Sequence, residues 1–285
     1  MHQMHHMAPW VPTFAQAIEN EHSLNENSPP FVAFQLATVD SHSGFPKNRT
    51  LIHRGWLFDD KSSNVLTFTT DKRMAKYEEL LHDDRFEAVY WFPKINKQFR
   101  FRGKARIVDD TYTPVISNDR IVSSSLATPS NASEESLVIG NGSVKPVSPQ
   151  KTPINSSLCS PGLASQMSLS TVDLSYTNLA RFQYQAPSLE EWEAERVRQW
   201  KALSKNLKKS FRKPTPLLPM NDELQKKIDS IRRGVDGKKE DDGLKNFAVV
   251  AMFIDHVDLY ELDKDRRLVY ERDSYQQWVE QEVCP

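Results

Sequence analysis

Gln98-Phe99-Arg100-Phe101-Arg102-Gly103-Lys104-Ala105-Arg106-Ile107-Val108 changes character at every step. Phe99, Phe101, Gly103, Ala105 and Ile107 share one parity, and Gln98, Arg100, Arg102, Lys104 and Arg106 share the other. Successive side chains of a strand point to opposite faces, so this period of two predicts a β-strand with one face in a core. The cationic face admits two readings. It is a solvated sheet surface, or its first members reach an anionic ligand or a partner subunit.

Outward from this run, the neighbouring segments have a similar make-up. Residues 86–92 (FEAVYWF), 64–70 (NVLTFTT), 49–58 (RTLIHRGWLF) and 31–39 (FVAFQLATV) are short and rich in β-branched and aromatic residues. Turn formers bound them, so they read as strands, and their even spacing predicts a meander that closes into a barrel. Residues 247–254, 257–262 and 267–272 supply the closing strands. Three helices are expected beside them. Trp10, Phe14, Ala17 and Ile18 make an apolar stripe behind Pro12, ended by a break at 25–30. Residues 72–82 put Met74, Tyr77, Leu80 and Leu81 on one face and Lys72, Arg73 and Lys76 in the first turns. Residues 188–207 offer Trp192, Val197, Trp200 and Leu203 for burial. The expected fold class is mainly β with peripheral helices (α+β).

Composition bounds the rest. Among 285 residues, 37 Lys+Arg nearly cancel 38 Asp+Glu, which argues against a general nucleic-acid or membrane-surface binder. No run of about 18 apolar residues exists, so no membrane span is expected. The His-rich start lacks the apolar core of a signal peptide and reads as a frayed end rather than a metal site. Cys159 and Cys284 have no CxxC or Cys/His neighbourhood, which speaks against a metal and fits a reducing cytosol or nucleus. Hydrophobic residues make up only 38%, and residues 111–178 account for the deficit. This stretch is dominated by Ser, Thr, Asn and Pro. It cannot bury enough apolar surface to offset an ordering entropy of about 1–2 kcal/mol per residue, and it reads as a disordered insertion. One folded unit is then expected in two pieces, 8–110 and 179–285, with order returning at Leu179 to Phe182. Residues 221–242 read as a second, exposed insertion.

No GxGxxG, Walker loop, HExxH or GxSxG occurs, which leaves Rossmann, P-loop, zincin and hydrolase assignments unsupported. What remains is a set of cations at strand ends: Arg49, Arg54, Arg73, Lys76 and Arg267. Separate elements carrying Arg or Lys toward one point suit a phosphate, which takes charge-assisted donors. Arg73 and Lys76 are expected in a first helical turn, where backbone N–H groups also favour an anion. Arg49 and Arg54 have opposite parity, so aiming both at one ligand requires a bulge or a frayed strand end.

In order and spacing, three segments resemble the FMN-binding core of the pyridoxamine 5′-phosphate oxidase family. They are Arg49-Thr50-Leu51-Ile52-His53-Arg54, then residues 68–76 (FTTDKRMAK), then residues 98–105 (QFRFRGKA). Residues 267–272 and the W-x6-P pattern of Trp278 to Pro285 resemble that family's closing signature. Gln35 to Val39, Thr70 to Lys76 and Ser210 to Pro216 are similar to its FMN-binding-domain branch of fungi and cyanobacteria. The resemblance implies a split β-barrel homodimer with flavin sites across the dimer interface. It implies that Arg49 and Lys76 bind the FMN phosphate and that Thr69 and Thr70 approach the ribityl-phosphate. Arg73 would stand in for an arginine that the oxidases place at Ala75. Gln98 would bond the polar edge of the isoalloxazine, and Arg267 would reach the flavin from the partner chain.

The departures touch substrate more than cofactor. Arg54 stands where the oxidases use a substrate-binding lysine, and Asp263-Lys264-Asp265 replaces an Arg-Leu-His triplet. A flavin-contacting tryptophan of the family falls at Val257, and the oxidases' substrate-phosphate set has no counterpart in the 192–204 stretch. The expected function is an FMN-dependent oxidoreductase acting on a small molecule. Pyridoxamine or pyridoxine 5′-phosphate is the candidate by resemblance, alongside an unidentified substrate. The alternatives are a non-catalytic FMN- or phosphate-ligand-binding module regulated through the insertion, and a structural dimer that has lost its flavin.

Overall fold

In the computed structural model, which describes residues 7–24, 31–114, 116–117, 148–149, 154–155, 187–273 and 277–285, the alternating run lies mid-way across an eight-stranded antiparallel sheet. In chain order the strands are β1 (Ala33–Val39), β2 (Pro46–Ile52), β3 (Val65–Asp71), β4 (Arg85–Phe92) and β5 (Lys97–Val108). They continue with β6 (Phe247–Glu261), β7 (Arg266–Arg272) and β8 (Trp278–Val283). They pair in the order β8-β7-β6-β5-β4-β1-β2, and β3 joins the N-terminal half of β6. The flanking helices are α1 (Trp10–Ser23), α2 (Ala75–His82), α3 (Leu189–Ala202), α4 (Lys205–Ser210) and α5 (Asp222–Arg233).

β6 joins the two expected strands 247–254 and 257–262 without a turn. Its ladder with β5 shifts register between Ile254 and His256, a bulge that bends the strand while keeping it paired. Its first half is apolar at every position, because both faces are covered. Ala248, Val250 and Met252 face a core with Trp10, Phe14 and Phe101, while Val249, Ala251 and Phe253 pack under Trp192, Trp200 and Phe211. Gly103 sits against the backbone of β6. A Cβ there would lie 1.9 Å from the carbonyl oxygen of Phe253, so the strand needs glycine at this step.

The expected closed barrel is not formed. The run 49–58 leaves the ladder at Ile52, and Phe58 and Asp59 take left-handed backbone with φ of 57° and 60°. Near Gly55 (φ 91°) the Arg54 N–H donates to Thr67 and the Thr67 N–H to Gly55, each at 2.9 Å, with a lone bridge from Trp56 to Leu66. Only that narrow seam ties the end of the run to β3 among the described residues.

Other boundaries move for local reasons. α2 starts at Ala75, because Asp71 Oδ1 accepts the Arg73 backbone N–H at 2.9 Å and holds a turn before the helix. Lys72 and Arg73 therefore precede the helix instead of opening it. The 188–207 stretch divides into α3, begun by a capping box of Ser188 and Glu191, and α4, capped by Ser204. Val197 is only half-buried, and Gln199 takes a buried place by donating to Thr67 Oγ1 at 3.0 Å. Residues 221–242 contain α5, capped by Asn221 and ended by Gly234 in left-handed backbone. Arg106 departs from the solvated reading of its face: it is 1% exposed and paired with Asp84.

The N-terminal histidines up to His6, the break at 25–30, order returning at 179–182 and most of 111–178 lie outside the described residues. Within that last range Tyr112–Thr113 pairs with Ser148–Pro149, and Ile116–Ser117 with Ile154–Asn155.

Candidate functional site

Arg49, Arg54, Thr69, Thr70, Arg73 and Lys76 line one cavity of about 630 Å³. β2 brings Arg49, the end of β3 brings the two threonines, and the first turn of α2 brings Lys76. Arg54 lies beyond the end of β2, so the frayed strand end resolves its parity conflict with Arg49. The opposite wall is a strap running from α4 to α5, with Phe211, Pro214, Pro216, Leu218 and Met220 on the cavity.

The cations on the barrel wall differ in how they are satisfied. Arg49 Nη2 donates to Glu79 Oε2 at 2.6 Å, and its Nη1 donates to the Thr38 hydroxyl, which itself donates to Glu79. Lys76 is buried, yet among the described residues its ammonium bonds only to Met74 Sδ at 2.9 Å and Thr70 Oγ1 at 3.4 Å. Burial, then the charge of Arg49, push its pKa below the ordinary lysine value, against a smaller pull from Asp71 and Glu79. Arg54 is likewise lowered by burial, and its Nε has no hydrogen-bond partner. Arg73 is occupied differently. It forks onto Asp71 (Nε–Oδ1 2.9 Å, Nη2–Oδ2 2.6 Å) and donates to the carbonyls of Lys213 at 2.6 Å and Phe211 at 3.2 Å. Arg73 thus clamps the strap to the barrel.

Gln98 and Arg267 are elsewhere. They line a separate concavity of about 320 Å³ with Arg100, Asp258, Tyr260 and Pro285. Register explains the grouping: Tyr260 lies opposite Gln98 on one side and Arg267 on the other, so the three form one row across β5, β6 and β7. Arg267 forks onto Asp258 at 2.9 and 2.7 Å. Burial resists ionisation of Asp258, but Arg267 and then Arg100 outweigh it and hold the carboxyl below its usual range. Val257 is fully buried in the core and faces neither concavity.

The residues that sequence reasoning left out are the partners and the far wall. Glu79, Thr38 and Asp71 orient the cations, and the strap supplies half the lining. The advance signals for the strap were its prolines and the likeness of Ser210 to Pro216 to the family's branch, neither of which placed it on the cavity.

Comparison with known proteins places the chain. Residues 7–109 match the family described as pyridoxamine 5′-phosphate oxidase, FMN-binding domain. The chain is 34% identical to the uncharacterized protein YGR017W of Saccharomyces cerevisiae, across 99% of both chains. It is 35% identical to pyridoxine/pyridoxamine 5′-phosphate oxidase 2 of Arabidopsis thaliana, over 36% of this chain and about half (48%) of that one. Among solved structures it shares its fold with a pyridoxamine 5′-phosphate oxidase-related, FMN-binding protein of Nostoc punctiforme (TM-score 0.59, 22% identity, covering 98% and 99% of the two chains). It shares it also with PhzG of Burkholderia lata (TM-score 0.56, 13% identity, covering 96% and 92%). The chain belongs to the pyridoxamine 5′-phosphate oxidase family of FMN-binding split barrels, and its cofactor is FMN.

The cavity fits that cofactor. Buried Lys76 and half-buried Arg54 face it with unspent donors and, among the described residues, with no ion-paired carboxylate, which is what a phosphate-bearing ligand requires. Among the described residues no helix is long and apolar enough to cross a membrane, and no cluster of His, Cys, Asp or Glu could hold a metal.

Proposed function

We propose that the protein is an FMN-dependent oxidoreductase that works as a homodimer, each flavin site being completed by the partner chain. The carrying observation is the division of the site residues. Six line one cavity, while Gln98 and Arg267 form a separate row on the sheet surface that shares no lining residue with it. A flavin in the cavity meets both sets only if a second chain presents its row.

In this reading Arg49 and Lys76 hold the phosphate, and Thr69 and Thr70 hold the ribityl chain. Arg54, desolvated on the seam, orients the substrate. The partner's Gln98 and Arg267 address the isoalloxazine. FMN supplies hydride acceptance and the return of electrons to oxygen or another acceptor, so no side chain is obliged to act as a general base. Pyridoxamine or pyridoxine 5′-phosphate is the first substrate to try. Asp263 and Asp265 on the turn after β6 put negative charge where the oxidases carry Arg-Leu-His, which favours a non-catalytic FMN module as the second reading.

Two experiments test this. Anaerobic addition of either B6 phosphate to the FMN-loaded protein bleaches the flavin absorbance if the oxidase reading holds; an unchanged spectrum with both, and with no other reductant found, leaves the binding-module reading. Mixing Arg49→Ala chains with Arg267→Ala chains restores about a quarter of the flavin sites if sites are shared in randomly re-paired dimers. Recovery of none contradicts sharing.

A further inference from the structure

On the far side of the strap from the flavin cavity lies a second cavity, of about 260 Å³, whose lining is strongly cationic. Arg73, Arg212, Lys213, Lys227, Lys238 and Lys245 face it, against Asp242 alone among carboxylates. The two arginines are neutralised by the fold, Arg73 by Asp71 and Arg212 by Asp236 at 3.4 Å. Among the described residues the four lysines form no ion pair, and the Asp242 carboxylate accepts the Lys239 backbone N–H at 3.0 Å. Four exposed lysines thus line the cavity from the strap, α5, the following loop and the turn Glu240–Asn246, with Asp242 as the one carboxylate beside them.

The backbone beneath them is fixed in advance. Arg212 is buried, its side chain 5% exposed, and it donates to the carbonyls of Lys238 at 2.9 Å and Lys239 at 3.0 Å. Arg73 takes the carbonyl of Lys213, and Asn246 Nδ2 donates to that of Phe211 at 2.7 Å. Two of the lysines, Lys213 and Lys238, therefore stand on backbone that Arg73 and Arg212 hold in place, which lowers the ordering cost of binding. The Nε of Arg212 is buried and unpartnered.

The charge is local. The lining is confined to the strap, α5 and the loop and turn after it. A pocket of this size suits a compact anion, whereas a nucleic acid needs a continuous basic track. The flavin cavity shares Arg73, Lys213, Pro214, Thr215, Leu218 and Leu224 with it, so the two lie back to back across the strap.

We propose that this cavity is a second anion site, which holds the phosphate end of a small phosphorylated ligand. That this ligand is the flavin's redox partner rests on the function proposed above; the anion site itself does not.

The test is calorimetric titration of the FMN-loaded protein with inorganic pyrophosphate at physiological salt. The wild type binds it, and Lys227→Gln/Lys245→Gln weakens that binding about tenfold or more, the loss of charge-assisted contacts. FMN affinity is unchanged in this variant. The control Lys205→Gln/Lys226→Gln, two exposed lysines outside the cavity, leaves pyrophosphate binding intact. Absence of pyrophosphate binding, or an equal loss in the control, overturns the proposal. So does abolition by Arg49→Ala with the cavity variant unaffected, because the anion then occupies the flavin cavity. If FMN fails to load but pyrophosphate still depends on Lys227 and Lys245, the second site stands and the flavin assignment falls.

Discussion

On the barrel wall of the flavin cavity the cations are tied to the frame: Arg49 to Glu79 and Thr38, Arg73 to Asp71, and Lys76 buried on α2. On the strap wall Leu217 is 94% exposed with φ 68°, Leu218 and Met220 are also exposed, and Lys213 has no acidic partner among the described residues. One wall holds its cations in a fixed frame, with the spare donors of Lys76 and Arg54 turned to the cavity; the other presents exposed apolar surface. A fixed wall can recognise an invariant group such as a phosphate. An open one is where specificity for the rest of the chemistry resides.

The comparison breaks most severely if the frame can be altered without cost. Gly103→Ala should lower stability by about 3 kcal/mol, because the new Cβ meets the backbone of Phe253, which cannot swing aside. A urea midpoint like that of the wild type would show that β5 and β6 are not so close. Next, Arg73→Ala should cost about 2 kcal/mol through loss of its fork and its two strap carbonyls, and should expose the strap to limited proteolysis. Unchanged stability with weakened FMN binding would make Arg73 a phosphate ligand instead.

Proton linkage probes the seam. Burial, and then the charge of Arg54, depress the pKa of His53 from 6.5 to about 4. The unfolded chain takes up the proton below 6.5 and the folded chain only near 4, so stability falls as pH drops through that window. Near pH 6 the His53 contribution is about 1 kcal/mol. His53→Gln should flatten this part of the profile, and a His53 titration midpoint near 6.5 by NMR would contradict it. The smallest effect belongs to the strap: Leu217→Ser should change stability by less than about 0.5 kcal/mol. A larger loss would mean that Leu217 is covered.

How much of this was legible in the sequence follows from where the signal is local. β5 was readable because alternation is written into consecutive residues. The first half of β6 reads as a plain apolar run, which does not reveal that it pairs with both β3 and β5 or bulges at Asp255. Barrel closure failed for a related reason: the strand-like run 49–58 hides the left-handed residues that follow its departure from the ladder at Ile52. The cations at strand ends stood out from the residues themselves, and four of them, Arg49, Arg54, Arg73 and Lys76, share a cavity with Thr69 and Thr70. That Gln98 and Arg267 stand apart comes from a register across three strands, which no local pattern encodes. Asn221 and Gly234, which cap α5, were visible as residues, but the charged stretch between them concealed a helix whose apolar residues are few.

The most direct test of the account is calorimetry of FMN and riboflavin on wild type, Arg49→Ala, Lys76→Ala and Arg102→Ala. Losing Arg49 or Lys76 should weaken FMN by about 1.5–3 kcal/mol, roughly ten- to a hundredfold, whereas exposed Arg102 should matter by about 0–1 kcal/mol. Riboflavin, which lacks the phosphate, should bind poorly to wild type and respond little to either change. If riboflavin binding falls as far as FMN binding, Arg49 and Lys76 do not hold the phosphate.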